Sequence, residues 1–510
     1  MNILFATSEV TPFAKTGGLA DVCSALPIAL SQLGHHVSVI MPSYFQAETA
    51  GFPIKSTGLQ LEVPIGNERK LGELLYSKLP NSDVPIYFVK HDYYYHRDGL
   101  YNSHGVDYLD NSERFIFFCR SVLEAIRLLN LDLDILHAND WQTGILFPLL
   151  EILYKTKSPF QDRVPNSLLL PSQLELYDKI GTVLTIHNMR HQGRFGQGDM
   201  ALTGLDWSYF TYDMLEFYGQ LNFLKSGIIF ADAITTVSPK YAEEIQTEGF
   251  GETLQGVLRF RQDSLTGILN GIDTDEWNPA TDPFIAVPFD QKTVFENKPK
   301  CKQALQRETG LPEVPDTPLF GVVSRFDIQK GLDLVADVIP YWVERYGVQF
   351  VILGTGDSTL EQRFRKLAER YPNNVRVLLT FSPALSHQIE AGIDMFLMPS
   401  RYEPCGLNQM YSHRYGSLPI VRVTGGLADT ITNAYNETMA NRTANGFTFY
   451  WGTTEDINKA IDWAVHCYFE RKEDWKQMIL TAMNQDWSWN RSARKYLDVY
   501  QNLLKKKMNR

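Results

Sequence analysis

Short runs of Val, Ile and Leu alternate with stretches of helical period from one end of the chain to the other. Runs that are apolar throughout suit strands buried on both faces, the pattern of a parallel sheet covered by helices. In the first half the pattern predicts strands at 2–6, 37–41, 85–90, 134–138, 182–187, 233–238 and 266–269. It predicts helices at 20–33, 112–129 and 141–156. Residues 279–318 carry Pro279, Pro283, Pro288, Pro299, Pro312, Pro315 and Pro318, which predicts an irregular connection with one short helix. The alternation resumes with strands at 319–323, 348–353, 375–380, 394–398 and 419–423. The stretch 490–505 sets Ala493, Tyr496, Leu497, Tyr500 and Leu503 on one helical face, which needs a surface to cover it. Residues 157–180 have no clear period and read as a surface excursion.

At 510 residues the chain is too long for one ordinary core, and the break at 279–318 divides it into two α/β domains. An apolar fraction of 44% and a charged fraction of 21% are those of a soluble globular protein. The net charge of −11 argues against a nucleic-acid partner, because phosphate backbones are held by concentrated Lys and Arg. Cys23, Cys119, Cys301, Cys405 and Cys467 are scattered and form no CxxC, as expected of a reducing compartment rather than a disulfide framework or zinc site. The start, Met1 to Glu9, lacks a basic region and reads as a first strand rather than a signal peptide. No apolar run is long enough to span a membrane. The expected location is the cytoplasm, or a plastid if a transit peptide has been removed.

In open α/β sheets, ligands sit beyond the carboxyl ends of the strands, where helix N-termini direct free N–H groups outward. The residues there are the candidates. Lys15-Thr16-Gly17-Gly18-Leu19 offers two glycines that admit a ligand to the backbone, plus a positive charge, which suits a diphosphate. It would equally serve as a plain strand-to-helix turn. Arg325 and Lys330 flank the loop after strand 319–323 and can neutralise a phosphate, or stand as two solvated cations. Glu403, in Ser400-Arg401-Tyr402-Glu403-Pro404-Cys405-Gly406-Leu407, can accept from sugar hydroxyls while the following amides donate, or simply complement a helix dipole. Cys405 has no neighbouring His in the sequence and reads as packed rather than nucleophilic. His137-Ala138-Asn139-Asp140-Trp141, Thr185-Ile186-His187-Asn188 and Asn270-Gly271-Ile272-Asp273 each end a strand with polar groups, which reach a ligand or satisfy the local backbone. Tyr93, Tyr94, Tyr95 and Tyr101 form either a platform for sugar rings or packed loop aromatics. The hexapeptide Thr16-Gly17-Gly18-Leu19-Ala20-Asp21 recurs as Thr424-Gly425-Gly426-Leu427-Ala428-Asp429, an echo of two similar domains.

Taken together, these motifs resemble those of the bacterial glycogen synthases and plant starch synthases over essentially the whole length. The resemblance implies an α/β architecture of two Rossmann-like domains facing a deep cleft, the type-B glycosyltransferase fold. The acceptor-side domain would cover 1–262, rejoined by a crossing helix at 487–510, and the nucleotide-sugar domain 263–486. It implies transfer of glucose from ADP-glucose to the nonreducing 4-hydroxyl of an α-1,4-glucan or malto-oligosaccharide, with retention, and with neither cofactor nor metal. Arg325, Lys330, Lys15, Glu403 and His187 would be catalytic. Gly17, Gly18, Asp21, Cys405, Gly406, Leu407, Thr424 and Gly425 would bind the donor. Tyr95, Asp140, Trp141, Asn188 and Asn270 would line the glucose and acceptor side. The alternatives are a UDP-glucose-dependent retaining transferase of the same fold and a non-catalytic glucan-binding relative. A phosphorylase would need a motif for a Schiff-base lysine, and none is evident. The chain departs from the family at Asn408, usually Thr in bacterial glycogen synthases, at His191, usually Tyr, and at Phe326-Asp327-Ile328, which bears on nucleotide and acceptor preference.

Overall fold

The computed structural model describes residues 1–156 and 171–508. The chain divides into two compact units. Met1–Val237, Ala242–Ile268 and Trp489–Arg510 make the first; Ser238–Tyr241 and Leu269–Ser488 make the second.

The first unit is built on a nine-stranded sheet. Its order is Leu265–Gly267, Ala233–Thr236, Gly181–Ile186, Ile135–Asn139, Asn2–Ala6, His36–Pro42, Pro85–Lys90, Glu68–Lys78 and Lys55–Ile65. All neighbours are parallel except the last two pairs. Those belong to a hairpin, turned at Gly66-Asn67, that the apolar pattern did not reveal. Burial alternates along it, so neither strand is an apolar run, and Glu68, Arg69 and Lys70 read as loop. The second unit has a six-stranded, wholly parallel sheet. Its order is Val375–Leu378, Gln349–Leu353, Leu319–Val323, Met395–Met398, Leu418–Arg422 and Phe447–Phe449.

Other expectations need correction. The predicted helix 141–156 is broken into a 3-10 turn at Trp141–Thr143, an α-turn at Leu146–Leu149 and a π-turn at Leu150–Tyr154. Pro148 lacks the N–H to continue a ladder, and Gly144 lies so close to the Phe223 carbonyl that a Cβ would stand 2.0 Å from it. The proline-rich connection contains a 16-residue helix, Val294–Thr309, rather than a short one. Val294, Lys298, Cys301, Lys302 and Leu305 form its buried face, and Pro299 is accommodated within it. The first unit extends to Ile268 rather than 262, because Leu265–Gly267 pairs with Ala233–Thr236. The excursion expected at 157–180 lies largely outside the described residues; within it, Pro171–Asp178 is helical.

The last helix, Trp489–Met508, returns to the first unit and packs against the Gly18–Gln32 helix and the Gly181–Ile186 strand. Ala493, Tyr496 and Tyr500 are fully buried there. The Tyr500 hydroxyl lies 2.7 Å from His137 Nδ1, and Thr185 Oγ1 holds the other ring nitrogen. Burial pushes the His137 pKa down to about 3, so this link uses a neutral imidazole.

Each sheet reverses its winding once. In the first, the chain runs from Asn2–Ala6 outward through His36–Pro42, then returns to Ile135–Asn139 on the other side. In the second, it runs outward from Leu319–Val323 and returns to Met395–Met398. At such a reversal the flanking loops diverge and leave a crevice at the strand ends.

Candidate active site

In the second unit the crevice opens between the ends of Leu319–Val323 and Met395–Met398. A cavity of about 190 Å³ there is lined by Ser324, Arg325, Lys330, Met398, Ser400 and Asn408, among others. Lys330 Nζ donates to Glu403 Oε2 at 2.7 Å, and Ser400 Oγ donates to the same oxygen at 3.0 Å. Glu403 is buried, so its pairing with Lys330 balances a charge that burial would otherwise penalise. Arg325 is exposed, and among the described residues its guanidinium makes no hydrogen bond or ion pair. Asn408, the departure from the family pattern, donates from Nδ2 to the Val323 carbonyl at 2.8 Å and so ties the two strand ends together.

The loops carrying Lys330 and Glu403 are clamped to one another. Arg401 makes a bidentate pair with Asp333 at 2.6 and 2.7 Å, its amide donates to the Gln329 carbonyl, and Gln329 Nε2 reaches the Tyr402 carbonyl. A bidentate Arg–carboxylate pair fixes direction as well as distance. Glycine is required twice. At Gly425, with φ 42°, a Cβ would stand 1.9 Å from the Glu403 carbonyl. At Gly354 it would stand 1.8 Å from the Ser324 carbonyl. The second Gly-Gly motif is thus a close packing of backbone on the Glu403 loop: Gly426 N–H donates to the Glu403 and Pro404 carbonyls, and Thr424 is buried. Cys405 is buried against the Asn270 backbone, and burial raises its thiol to about 12, which removes it as a nucleophile. Asn270 is itself buried, and its Oδ1 has no partner among the described residues. Gly406 and Leu407 are half-buried beside Glu403.

Sequence reasoning missed Phe381. It follows the Val375–Leu378 strand, at the same end of the sheet, and is 88% exposed. Nothing in a sequence marks one Phe as exposed; the position just after a strand end was the usable signal.

In the first unit, Lys15, Thr16, Gly17 and Gly18 are exposed, and the space beside both glycines is open. Lys15 Nζ pairs with Asp21 Oδ1 at 2.7 Å, and Thr11 Oγ1 donates to the same oxygen. Glu9, which the sequence reading passed over, lies beneath this loop. Across the reversal, Asp140 Oδ1 accepts the His187 N–H at 2.6 Å and the Asn188 N–H at 3.4 Å. Asp140 adopts φ 57°, ψ −172°, a region natural only to glycine. Burial raises its carboxyl to about 7, against the two backbone bonds that favour the anion. His187 Nε2 lies 3.0 Å from Asn139 Oδ1. Asn139 Nδ2 donates to the Ala6 carbonyl, so Oδ1 accepts and the His187 proton is on Nε2. Burial lowers the His187 pKa to about 3, leaving a neutral ring. Trp141 packs among Tyr101, Phe115 and Phe195.

Of the two readings of the tyrosine run, packed loop aromatics describes Tyr94 and Tyr95, and the assignment of Tyr95 to the acceptor side needs correction. Tyr95 is fully buried, with its hydroxyl on the Arg114 carbonyl at 2.9 Å, so it offers an acceptor no surface. Tyr94 is also buried, Tyr101 is held by Glu9 and Ser8, and only Tyr93 is well exposed. Among the described residues no group of His, Cys, Asp and Glu could hold a metal ion, and no helix is long and apolar enough to cross a membrane.

Residues 2–170 and 167–260 match the starch synthase catalytic domain family, and residues 306–479 match glycosyl transferases group 1. A glycogen synthase of Thermotoga maritima is 44% identical over 513 residues, covering 99% of both chains. A glycogen synthase of Rhodopirellula baltica is 41% identical, covering 98% of this chain and 97% of the relative. Among solved structures, the catalytic domain of starch synthase IV from Arabidopsis thaliana, bound to ADP and acarbose, superposes with a TM-score of 0.85. It is 32% identical, and the match covers 99% of each chain.

Proposed function

From the premise that this chain belongs to the glycogen and starch synthase family of glycosyltransferases, with its two-domain α/β, type-B fold, we propose that it extends α-1,4-glucans with glucose from ADP-glucose, retaining the anomeric configuration. The observation that carries the reading is the Lys330–Glu403 pair beside Arg325 at the reversal of the second sheet. Two cations there can hold a diphosphate and stabilise the charge that develops as it leaves, Arg325 as a fork and Lys330 as a point charge. Glu403 accepts from glucose hydroxyls while keeping Lys330 oriented. The binding of ADP and acarbose by the Arabidopsis starch synthase supports the pairing of a nucleotide with a glucan-like ligand. Phe381 offers its exposed face to the adenine ring.

Within the first unit, exposed Lys15 and the glycine loop offer a cation and an accessible backbone of the kind that suits a phosphate group. Asp140, His187 and Asn188 serve the sugar and its acceptor, with Trp141 supporting them. A neutral His187 suits that place, because an imidazolium would repel a glucosyl centre as it becomes cationic. Among the described residues, no pair of carboxylates lines the cavity to act as nucleophile and base. The leaving phosphate oxygen therefore takes the acceptor proton on the face it departs from, which accounts for retention. The positive charge comes from Arg325 and Lys330, so the reading calls for no metal. The five buried free cysteines are in keeping with a reducing cytoplasm.

The test is direct. Protein incubated with labelled ADP-glucose or UDP-glucose and a malto-oligosaccharide should lengthen the oligosaccharide with ADP-glucose, forming new α-linkages visible by NMR. Extension with UDP-glucose alone would overturn the nucleotide assignment, and extension with neither would overturn the reaction.

A further inference from the structure

Beneath the glycine loop of the first unit lies a buried acid that no sequence motif singles out. Glu9 is 3% exposed. Its Oε2 accepts the Thr16 N–H at 2.6 Å and the Gly17 N–H at 3.3 Å. Its Oε1 accepts the Thr16 hydroxyl at 2.6 Å and the Tyr101 hydroxyl at 2.7 Å. Tyr101 is fixed in turn by Ser8 Oγ at 2.7 Å and by ring contacts with Phe115 and Trp141. Every acceptor direction of the carboxylate is therefore spent on the loop or on the residue that braces it.

Two consequences follow for the amides of the loop. Thr16 and Gly17 are already bonded inward and are not available to an anion. Gly18 N–H makes no hydrogen bond among the described residues and opens the 15-residue Gly18–Gln32 helix, whose dipole favours negative charge there. Lys15 stands on the other side of the anchored pair, held by Asp21.

We propose that Glu9 is a positioning residue for the donor: by drawing the Thr16 and Gly17 amides inward, it turns the Gly18 N–H and the Lys15 ammonium together toward the diphosphate. This rests on the donor reading given above and revises it, since Gly17 then serves the loop and Gly18 alone presents its amide. Glu9 touches no reacting atom. It acts through the loop, which without it has two unpaired amides and no reason to keep one shape.

The charge and the geometry of Glu9 can be separated. In Glu9→Ala every loop bond is lost. In Glu9→Gln the amide oxygen can still accept the two backbone N–H groups, and its NH₂ can donate to the Thr16 and Tyr101 hydroxyls, which are able to accept. Calorimetric titration with ADP should show binding weakened about 10-fold or more in Glu9→Ala, with most of the loss recovered in Glu9→Gln. Steady-state kinetics should show the donor KM rising by a similar factor while the acceptor KM stays unchanged. Simple loss of folded protein would instead lower kcat and leave both KM values alone.

Native or tighter ADP binding in Glu9→Ala overturns the proposal, the latter because it would make Glu9 a competitor for the phosphate place. Should Glu9→Ala fail to fold, Tyr101→Phe removes one bond to Glu9 and keeps the ring. It should weaken ADP binding about 3-fold, and unchanged binding overturns the proposal equally. The two readings fail separately. Wild-type protein that binds ADP but extends no glucan refutes the reaction, whereas equal ADP affinity in folded Glu9→Ala refutes the role of Glu9.

Discussion

Asp140 combines two penalties in one residue, and replacing it by Asn should stabilise the first unit while impairing transfer. The first penalty is electrostatic. Burial raises the Asp140 carboxyl from its ordinary 3.8 to about 7. Between those values the folded protein holds a proton that the unfolded chain has released, so stability falls as pH rises through the window and is level above it. At 1.36 kcal/mol per pKa unit, the shift corresponds to an upper bound of about 4 kcal/mol lost at pH 8 relative to pH 3. The second penalty is conformational, about 1–3 kcal/mol for a non-glycine residue in this region, and Asn tolerates positive φ somewhat better than Asp.

Asn keeps the oxygen that accepts the His187 and Asn188 amides, so Asp140→Asn should lose little local structure. Urea unfolding of native and variant protein across pH 3–8 isolates the effect, because other titrating groups are common to both. The stability difference should be near zero below about pH 4, grow in favour of the variant up to about pH 7, and stay level beyond. A gain of about 2–4 kcal/mol at pH 8 fits the geometry, with a fall in turnover alongside it. A pH-independent difference, or a variant less stable than wild type at pH 8, would refute the account of Asp140 as a buried and strained acid.

Lys330→Met removes the cation while nearly preserving its bulk, and among the described residues leaves the buried Glu403 carboxylate with Ser400 as its remaining side-chain partner. Turnover should fall about 100-fold or more, measured by chain extension at saturating donor, with the thermal transition lowered as well. Phe381→Ala should raise the donor KM by roughly 5- to 50-fold, as expected for loss of one base–aromatic stack, and leave the acceptor KM and the thermal transition unchanged. Tyr500→Phe deletes the hydrogen bond that ties the last helix to His137, and should cost about 1 kcal/mol of first-unit stability by urea unfolding without changing either KM.

The strand ends of both units were legible because the physics there is local. A fully apolar run followed by Gly, Lys, Arg or Asn announces a buried strand and the loop beyond it, and Lys15, Arg325, Lys330, Glu403, Asp140 and His187 all stand at such places. What could not be read depended on the far side of a contact. The hairpin Lys55–Ile65 and Glu68–Lys78 buries alternate residues only, so no apolar run marks it. Tyr95 and Tyr93 are two residues apart in one tyrosine run, yet one is fully buried over Arg114 and the other 72% exposed, a difference set by residues about a turn and a helix away.

Glu9 and the second Gly-Gly motif show the same limit from opposite sides. The repeat reads as an echo of two similar domains, but the hexapeptides have different work. Gly425 and Gly426 lie against the Glu403 and Cys405 backbone, where a Cβ would stand 1.9 and 2.1 Å from the respective carbonyl oxygens. Gly17 and Gly18 face open space, where a side chain would meet nothing of the protein. Glycine in the second copy is therefore demanded by packing within its own unit, whereas among the described residues no neighbour demands it at Gly17 or Gly18. That asymmetry yields a prediction of its own. Gly425→Ala, with its positive φ and its clash, should destabilise the second unit by about 2 kcal/mol or more. Gly18→Ala should leave the thermal transition nearly unchanged and weaken ADP binding. If Gly18→Ala bound ADP as well as wild type, the open space beside it would not be where the donor lies.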